Sequence, residues 1–129
     1  MISSKSVPKS GEGAGLWFLK ILTGLLIIII LGVHFTVNHM LGSMAGGLLS
    51  YEDVLRYYAQ NPIIPIMEIL FILFVVPHSL LGLRSILLDL RPSAGSLKAI
   101  NWTFIVFGVI AVVYGIGLIV VLVQRGASL

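Results

Sequence analysis

Residues 63–88 read IIPIMEILFILFVVPHSLLGLRSILL, a long apolar run that contains one glutamate, one histidine and one arginine. Two similar runs flank it, at residues 16–40 and 99–124, and the last of these carries no charged side chain. A hydrocarbon core of about 30 Å is crossed by about 20 helical residues, so each run is long enough to span a bilayer. The sequence therefore predicts three transmembrane helices, at about 16–40, 63–88 and 99–124.

Composition supports this prediction and excludes several classes of protein. Of the 129 residues, 58% are hydrophobic and 10% are charged, whereas soluble domains average about 25% charged residues. The chain has no cysteine, which excludes a disulfide scaffold, an iron–sulfur protein and covalent haem attachment. The net charge of +3 comes from scattered cations and does not indicate nucleic-acid binding. Runs such as LLIIIIL at residues 25–31 favour helices over a transmembrane barrel, so we expect an all-α membrane protein, residues 1–129 forming a single domain.

Charge asymmetry predicts the orientation of the three spans. Six cations fall on the side of the N-terminus and two on the other side, and lysine and arginine favour the cytoplasmic side. The six are Lys5, Lys9, Lys20, Arg84, Arg91 and Lys98, and the two are Arg56 and Arg125. We therefore expect a cytoplasmic N-terminus and an external C-terminus. The first apolar run is too long for a signal peptide and follows fifteen mostly polar or small residues, so we expect this span to be retained.

The loop after the first span contains a predicted amphipathic helix. The stretch SYEDVLRYYAQNP, residues 50–62, begins with Ser50, and Asp53 three residues later completes a capping-box pattern. Asn61 is predicted to cap the second span, with Pro62 at its first helical position. We expect this short helix to lie at the outer membrane interface.

Ionisable residues inside a membrane are costly and often functional. His34 lies in the first span, His78 and Glu68 lie in the second, and His39 lies at the outer edge, where a solvated role is the simpler interpretation. With a rise of 1.5 Å per residue, His78 lies about 12 Å above the inner boundary, His34 about 24 Å and Glu68 about 27 Å. The two buried histidines therefore cannot share one metal ion, and Glu68 has no obvious partner within the chain.

The surroundings of His78 favour a haem ligand. Gly82 follows one helical turn later and would let a flat macrocycle approach, and Arg84 could neutralise a propionate. Neutral imidazole is a common haem ligand, and b-type haem needs no cysteine. The alternative is structural, since an intramembrane histidine can simply hydrogen-bond a neighbouring helix. Arg84 and Asp89 could likewise be an ordinary pair at a helix end.

The pattern H-x-x-x-G-x-R-x-x-x-x-D, formed by His78, Gly82, Arg84 and Asp89, resembles the haem-binding helix of the membrane anchors of succinate:quinone oxidoreductase. LGVHF at residues 31–35 and the lead-in at residues 58–84 are similar to the smaller anchor subunit of bacteria and archaea. The resemblance implies a multi-pass subunit of the bacterial or archaeal cell membrane that carries no flavin chemistry itself. It departs from the family at Leu90, where many members have a tyrosine that contacts quinone.

The same resemblance implies the site residues and partners. His78 matches the axial ligand of the proximal haem b, and His34 matches the ligand of a distal haem in two-haem members. Arg84 and Asp89 match positions near the propionates and the quinone site. Apart from the resemblance, the height of Glu68, level with His34, makes it a candidate for proton movement or charge compensation beside the distal haem. The implied partners are a larger cytochrome b anchor subunit, an iron–sulfur subunit, a flavoprotein subunit and membrane lipid. Two alternatives stay open: a haem-free structural anchor, and a cytochrome b anchor of another membrane oxidoreductase.

Overall fold

The computed structural model describes residues 13–37 and 50–129, which form four helices. Three of these helices are long and apolar enough to cross a membrane, as the sequence predicts. The helices are α1 (Ala14–Phe35), α2 (Tyr51–Gln60), α3 (Ile63–Asp89) and α4 (Ala94–Ala127). The long helices α1, α3 and α4 are thus the three predicted spans, and α2 is the predicted short helix between the first two.

The bounds of the long helices differ from the predicted spans mainly in α4. This helix begins at Ala94 and has 34 residues, because the Ser93 side chain caps it by accepting from the backbone N–H of Ser96 at 3.2 Å. At 1.5 Å per residue it is about 51 Å long, well beyond the bilayer core. The apolar run that predicts this span covers only the central part of α4. The predicted end of the first span, beyond Val37, lies outside the described residues.

The capping box of α2 is confirmed. The Ser50 hydroxyl accepts from the Asp53 backbone N–H at 3.2 Å, and the Asp53 carboxylate accepts from the Ser50 backbone N–H at 2.9 Å. These hydrogen bonds, with Arg56 nearby, hold the pKa of the Asp53 carboxyl below its ordinary value. The position of α2 at a membrane interface stays a prediction.

The cap predicted for the second span is wrong by one residue. Asn61 closes α2 by donating its N–H to the Tyr57 carbonyl at 3.1 Å, and its own carbonyl accepts from Ile64 at 3.1 Å. Pro62 is therefore the N-cap of α3, and Ile63 is the first helical residue. So little chain separates the two helices that Asn61 completes α2 instead of capping α3.

Helix α3 packs against α1 on one side and α4 on another, while α2 packs mainly on the C-terminal end of α4. The α2–α4 contact is close because Gly126 has no side chain: an added Cβ would collide with the Leu55 carbonyl and lie 2.9 Å from the Ala59 Cβ. At the opposite end, Arg91 adopts a left-handed conformation with φ of 52° and turns the chain from α3 into α4. We call residues 90–93 the α3–α4 turn, and the two ends of the bundle the turn end and the α2 end.

The close contact at Gly126 predicts the effect of adding a methyl group there. Gly126→Ala should destabilise the protein by about 1–3 kcal/mol, because backbone and methyl atoms must separate to make room. Gly117→Ala is the matched control, since an added Cβ at Gly117 meets nothing within 4 Å. Thermal unfolding in detergent should give a lower midpoint for Gly126→Ala alone; equal midpoints would show that α2 does not pack on α4 in this way.

Candidate functional site

His78 faces helix α1. Its Nδ1 lies 3.1 Å from the Lys20 carbonyl oxygen and 3.2 Å from the Thr23 hydroxyl oxygen. Because a carbonyl oxygen can only accept, Nδ1 carries a proton and donates to it. This tautomer leaves the lone pair of the imidazole on Nε2, which makes no hydrogen bond to any residue that the structure describes.

Two glycines leave space near His78. At Gly24 of α1, an added Cβ would lie 3.0 Å from the His78 Cε1, so the close approach of the ring depends on the missing side chain. At Gly82, one turn beyond the histidine, an added Cβ would meet nothing within 4 Å. The open space that the sequence predicts at Gly82 is therefore present, and Gly24 is a second small position beside the ring.

One further polar contact joins α1 to α3 near His78. The Lys20 ammonium donates to the Ser85 hydroxyl at 2.8 Å, whereas the Thr23 hydroxyl donates within α1 to the Leu19 carbonyl at 2.8 Å. Thr23 is buried, with 3% of its surface exposed. The imidazole of His78 therefore belongs to a polar patch, rather than being isolated among aliphatic side chains.

His34 and Glu68 meet towards the α2 end. The His34 Nδ1 lies 3.1 Å from a Glu68 carboxylate oxygen, with 32% and 19% of the two side chains exposed. The predicted common height of these residues is thereby confirmed. The expectation that Glu68 lacks a partner within the chain is wrong, because height alone does not reveal which faces of α1 and α3 meet.

Tyr58 of α2 joins the same group. Its hydroxyl is hydrogen-bonded to the Glu68 side chain, and burial together with the negative charge of Glu68 raises the pKa of the Tyr58 phenol. His34, Glu68 and Tyr58 come from α1, α3 and α2, and we call them the outer triad. Three helices therefore bring titratable side chains to one point.

The two histidines lie at different levels of the bundle. His78 contacts α1 at residues 20–24, and His34 lies at least ten residues further along the same helix. Ten residues of helix span about 15 Å. The described residues contain no group of three or more histidine, cysteine, aspartate or glutamate side chains that could hold a metal ion. The separation along α1 is too large for the two histidines to ligate one metal ion together.

Arg84 faces away from His78. Its Nε donates to the Asn101 side-chain oxygen of α4 at 2.8 Å, whereas His78 points to α1. Six residues at about 100° each place the two side chains roughly 120° apart around the helix. The structure therefore does not bring Arg84 to the imidazole, and a role for Arg84 beside a propionate stays a prediction.

Asp89 has no side-chain hydrogen bond or ion pair to any residue that the structure describes. Asp89 is exposed as the last residue of α3, and the described residues show no ion pair between Asp89 and Arg84. His39 lies outside the described residues, so its predicted solvated role stays a prediction. The alternative of an Arg84–Asp89 pair at the helix end is not supported.

The chain matches a family model over residues 4–118, described as the succinate dehydrogenase/fumarate reductase transmembrane subunit. The chain belongs to this family. It is also similar to the succinate dehydrogenase hydrophobic membrane anchor subunit of Archaeoglobus fulgidus, with 33% identity over 103 residues, covering 80% of this chain and 85% of the relative. No solved structure gives a significant match.

Membership confirms the resemblance given by the motif around His78. With its three apolar helices, this succinate dehydrogenase/fumarate reductase transmembrane subunit is a multi-pass membrane protein. Sequence reasoning missed three polar residues of the anchor's site: Thr23, Asn101 and Tyr58. The first two lie in predicted spans, but their side chains are not ionisable, so the rule that ionisable intramembrane residues are often functional does not single them out. Tyr58 lies outside the predicted spans, where that rule does not apply.

The contact between Glu68 and Tyr58 predicts a measurable change in the titration of Tyr58 when Glu68 is replaced. Glu68→Gln removes a negative charge that disfavours tyrosinate, so the pKa of the phenol should fall towards its ordinary value while the contribution of burial stays. Tyrosinate absorbance in an alkaline titration measures this, and a Tyr58→Phe variant identifies the signal. Glu52→Gln on the exposed face of α2 is the control; equal curves for both glutamine variants would contradict the contact.

Proposed function

We propose that this chain is the haem b-binding anchor of a succinate:quinone oxidoreductase, with His78 and His34 each supplying one axial ligand to a different haem. A larger anchor subunit would supply the opposite ligands, and a flavoprotein and an iron–sulfur subunit would dock at the turn end, on the cytoplasmic side. The observation that carries the proposal is the hydrogen bond from the His78 Nδ1 to the Lys20 carbonyl.

This hydrogen bond suits a ligand of haem iron. Metal-ligating histidines usually donate their second ring N–H to a carbonyl or carboxylate, which fixes the tautomer and makes the ligating nitrogen more basic. In His78 the Lys20 carbonyl accepts from Nδ1, and the lone pair stays on Nε2. Gly24 leaves the ring room on α1, so the residues present fit an axial ligand.

When bound, haem b would supply a one-electron centre between the iron–sulfur clusters and membrane quinone. The part of this chain is to hold the imidazole in one orientation and to surround it with helix, since axial ligation, hydrogen bonding and burial set a haem's potential. Lys20 and Ser85 keep α1 and α3 together beside His78. The chain therefore contributes position and ligation, while succinate is oxidised on the flavoprotein.

His34 follows the same pattern with a stronger acceptor. The Glu68 carboxylate lies 3.1 Å from the His34 Nδ1 and is itself bonded to Tyr58, which restrains it. A carboxylate behind a ligating histidine is a common arrangement in metal sites. We infer that Glu68 orients His34 for the distal haem and compensates charge there. Asp89, exposed at the turn end, would lie towards the quinone.

A haem-free structural anchor is the second candidate, and one observation favours it. Both His78 and His34 already form hydrogen bonds between helices, which is all that a structural histidine requires. The two candidate functions differ in the visible absorbance of the complex, because only a haem b-binding anchor gives a complex that absorbs as a b-type cytochrome.

Haem counting on the purified complex tests the proposal. We expect His78→Ala and His34→Ala each to lower the haem content by one per complex, because alanine removes the axial nitrogen. Reduced-minus-oxidised spectra with haem quantitation measure this, and the wild-type complex should contain two. A colourless wild-type complex would establish the structural alternative, and normal haem content in His34→Ala would refute the distal assignment.

Crowding the His78 ring without removing the ligand provides a second test. Gly24→Leu should displace the imidazole, because even an added Cβ would lie 3.0 Å from Cε1, and should shift or abolish the spectrum of one haem. Gly32→Leu is the matched control on the same helix, since an added Cβ there meets nothing within 4 Å. Identical spectra for the two leucine variants would show that the orientation of His78 does not matter for haem binding.

A further inference from the structure

A long apolar groove runs between α3 and α4, and Leu16 and Leu19 of α1 also line it. Its volume is about 650 Å³, and its lining is apolar except for Arg84 and Asn101 at one end. We call this cavity the α3–α4 groove. His78 is not among its lining residues, so a haem ligated by His78 does not account for it.

Arg84 brings a positive charge to one end of this groove. Its Nε donates to Asn101, and its buried Nη1 has no hydrogen-bond partner among the residues that the structure describes. A guanidinium stays protonated in proteins, and a buried charge without a counter-charge is strongly unfavourable. A ligand that fits this groove would therefore have an anionic oxygen at the Arg84 end and an apolar body along the rest of the groove.

The length of the groove matches one leaflet of a bilayer. From Arg84 the lining on α3 extends to Leu73, and from Asn101 the lining on α4 extends to Val113. Eleven or twelve helical residues span about 16–18 Å, close to the roughly 15 Å of hydrocarbon in half of a bilayer core. An acyl or alkyl chain that starts at Arg84 would thus lie along the groove without leaving its own leaflet.

A smaller cavity continues the groove towards the turn end. It has a volume of about 300 Å³, shares Asn101 and Ile105 with the groove, and is also lined by Lys98 and Trp102. Tryptophan prefers the level of lipid headgroups, and a lysine there attracts anionic lipid. A second cation and an interfacial aromatic side chain therefore stand where a headgroup would lie.

We propose that the α3–α4 groove binds one anionic phospholipid, with its phosphate on Arg84 and one of its chains along the groove. Lys98 and Trp102 face the headgroup, and the Arg84 guanidinium at the end of the groove donates to a phosphate oxygen. Arginine suits phosphate because its planar donors match two oxygens at once. The inference does not rest on the haem proposal, since neither His78 nor His34 lines the groove.

Lipid rebinding to the delipidated, intact complex tests this site. The probes are a diacyl phosphatidylglycerol, the corresponding diacylglycerol without phosphate, and a quinone with an isoprenoid tail, and bound probe is counted by native mass spectrometry. We expect phosphatidylglycerol to bind best and Arg84→Gln to weaken it about 10- to 100-fold, the range for losing a hydrogen bond to a charged group. Diacylglycerol should bind more weakly and should not respond to Arg84→Gln.

A second variant keeps the test decisive if Arg84→Gln disturbs assembly. Val109→Phe fills the groove from α4 without touching Arg84, and Val106→Phe is the control, equally exposed on α4 but outside both cavities. Only Val109→Phe should weaken phosphatidylglycerol binding. The proposal fails if both phenylalanine variants bind phosphatidylglycerol equally well, or if the wild-type complex binds phosphatidylglycerol and diacylglycerol equally well. It also fails if quinone displaces the lipid and the binding of quinone itself requires Arg84. Haem is counted on the same samples, so that failure of the lipid proposal can be distinguished from failure of the haem proposal.

Discussion

Contact between α1 and α3 is made through hydrogen bonds at separate levels, and this follows from the solvent in which the anchor folds. Lipid gives no hydrophobic drive for two apolar helices to associate, so small residues and polar contacts must join them. Near the turn end, Lys20 is hydrogen-bonded to Ser85, and His78 is hydrogen-bonded to the α1 backbone beside Gly24. Towards the α2 end, His34 is paired with Glu68.

The same contacts set what the histidines can do. Each imidazole uses Nδ1 to hold the helices together, and this use fixes where the ring points. A structural role and a ligand role are therefore compatible in one side chain, because the first occupies one nitrogen and the second needs the other. This is why geometry within one chain does not separate a haem anchor from a haem-free one, whereas the count of bound haem does.

The sequence predicted well the heights of residues along the helices, but it predicted poorly which faces of the helices meet. Rise per residue is a constant of the helix, so the level shared by His34 and Glu68, and the separation of His34 from His78, followed from counting. The partners did not follow, because which sides of two helices meet depends on packing that a single pattern does not encode. Arg84 is the clearest case: the motif placed it with His78, but the helix turns it towards Asn101. The capping box at Ser50 succeeded because it is local, while the cap at Asn61 failed because α2 ends so close to α3.

Surface chemistry shows what the chain leaves for its partners. Helices α1 and α4 expose many large apolar side chains, among them Phe18, Ile28, Val113 and Tyr114, which only lipid or another transmembrane helix can cover. A single imidazole at each of two levels cannot enclose an iron from both sides. If haem is bound, the opposite ligands must therefore come from another chain, because this chain offers one histidine at each level. The α3–α4 groove is lined by neither histidine, so the residues that would serve lipid and those that would serve haem are different ones.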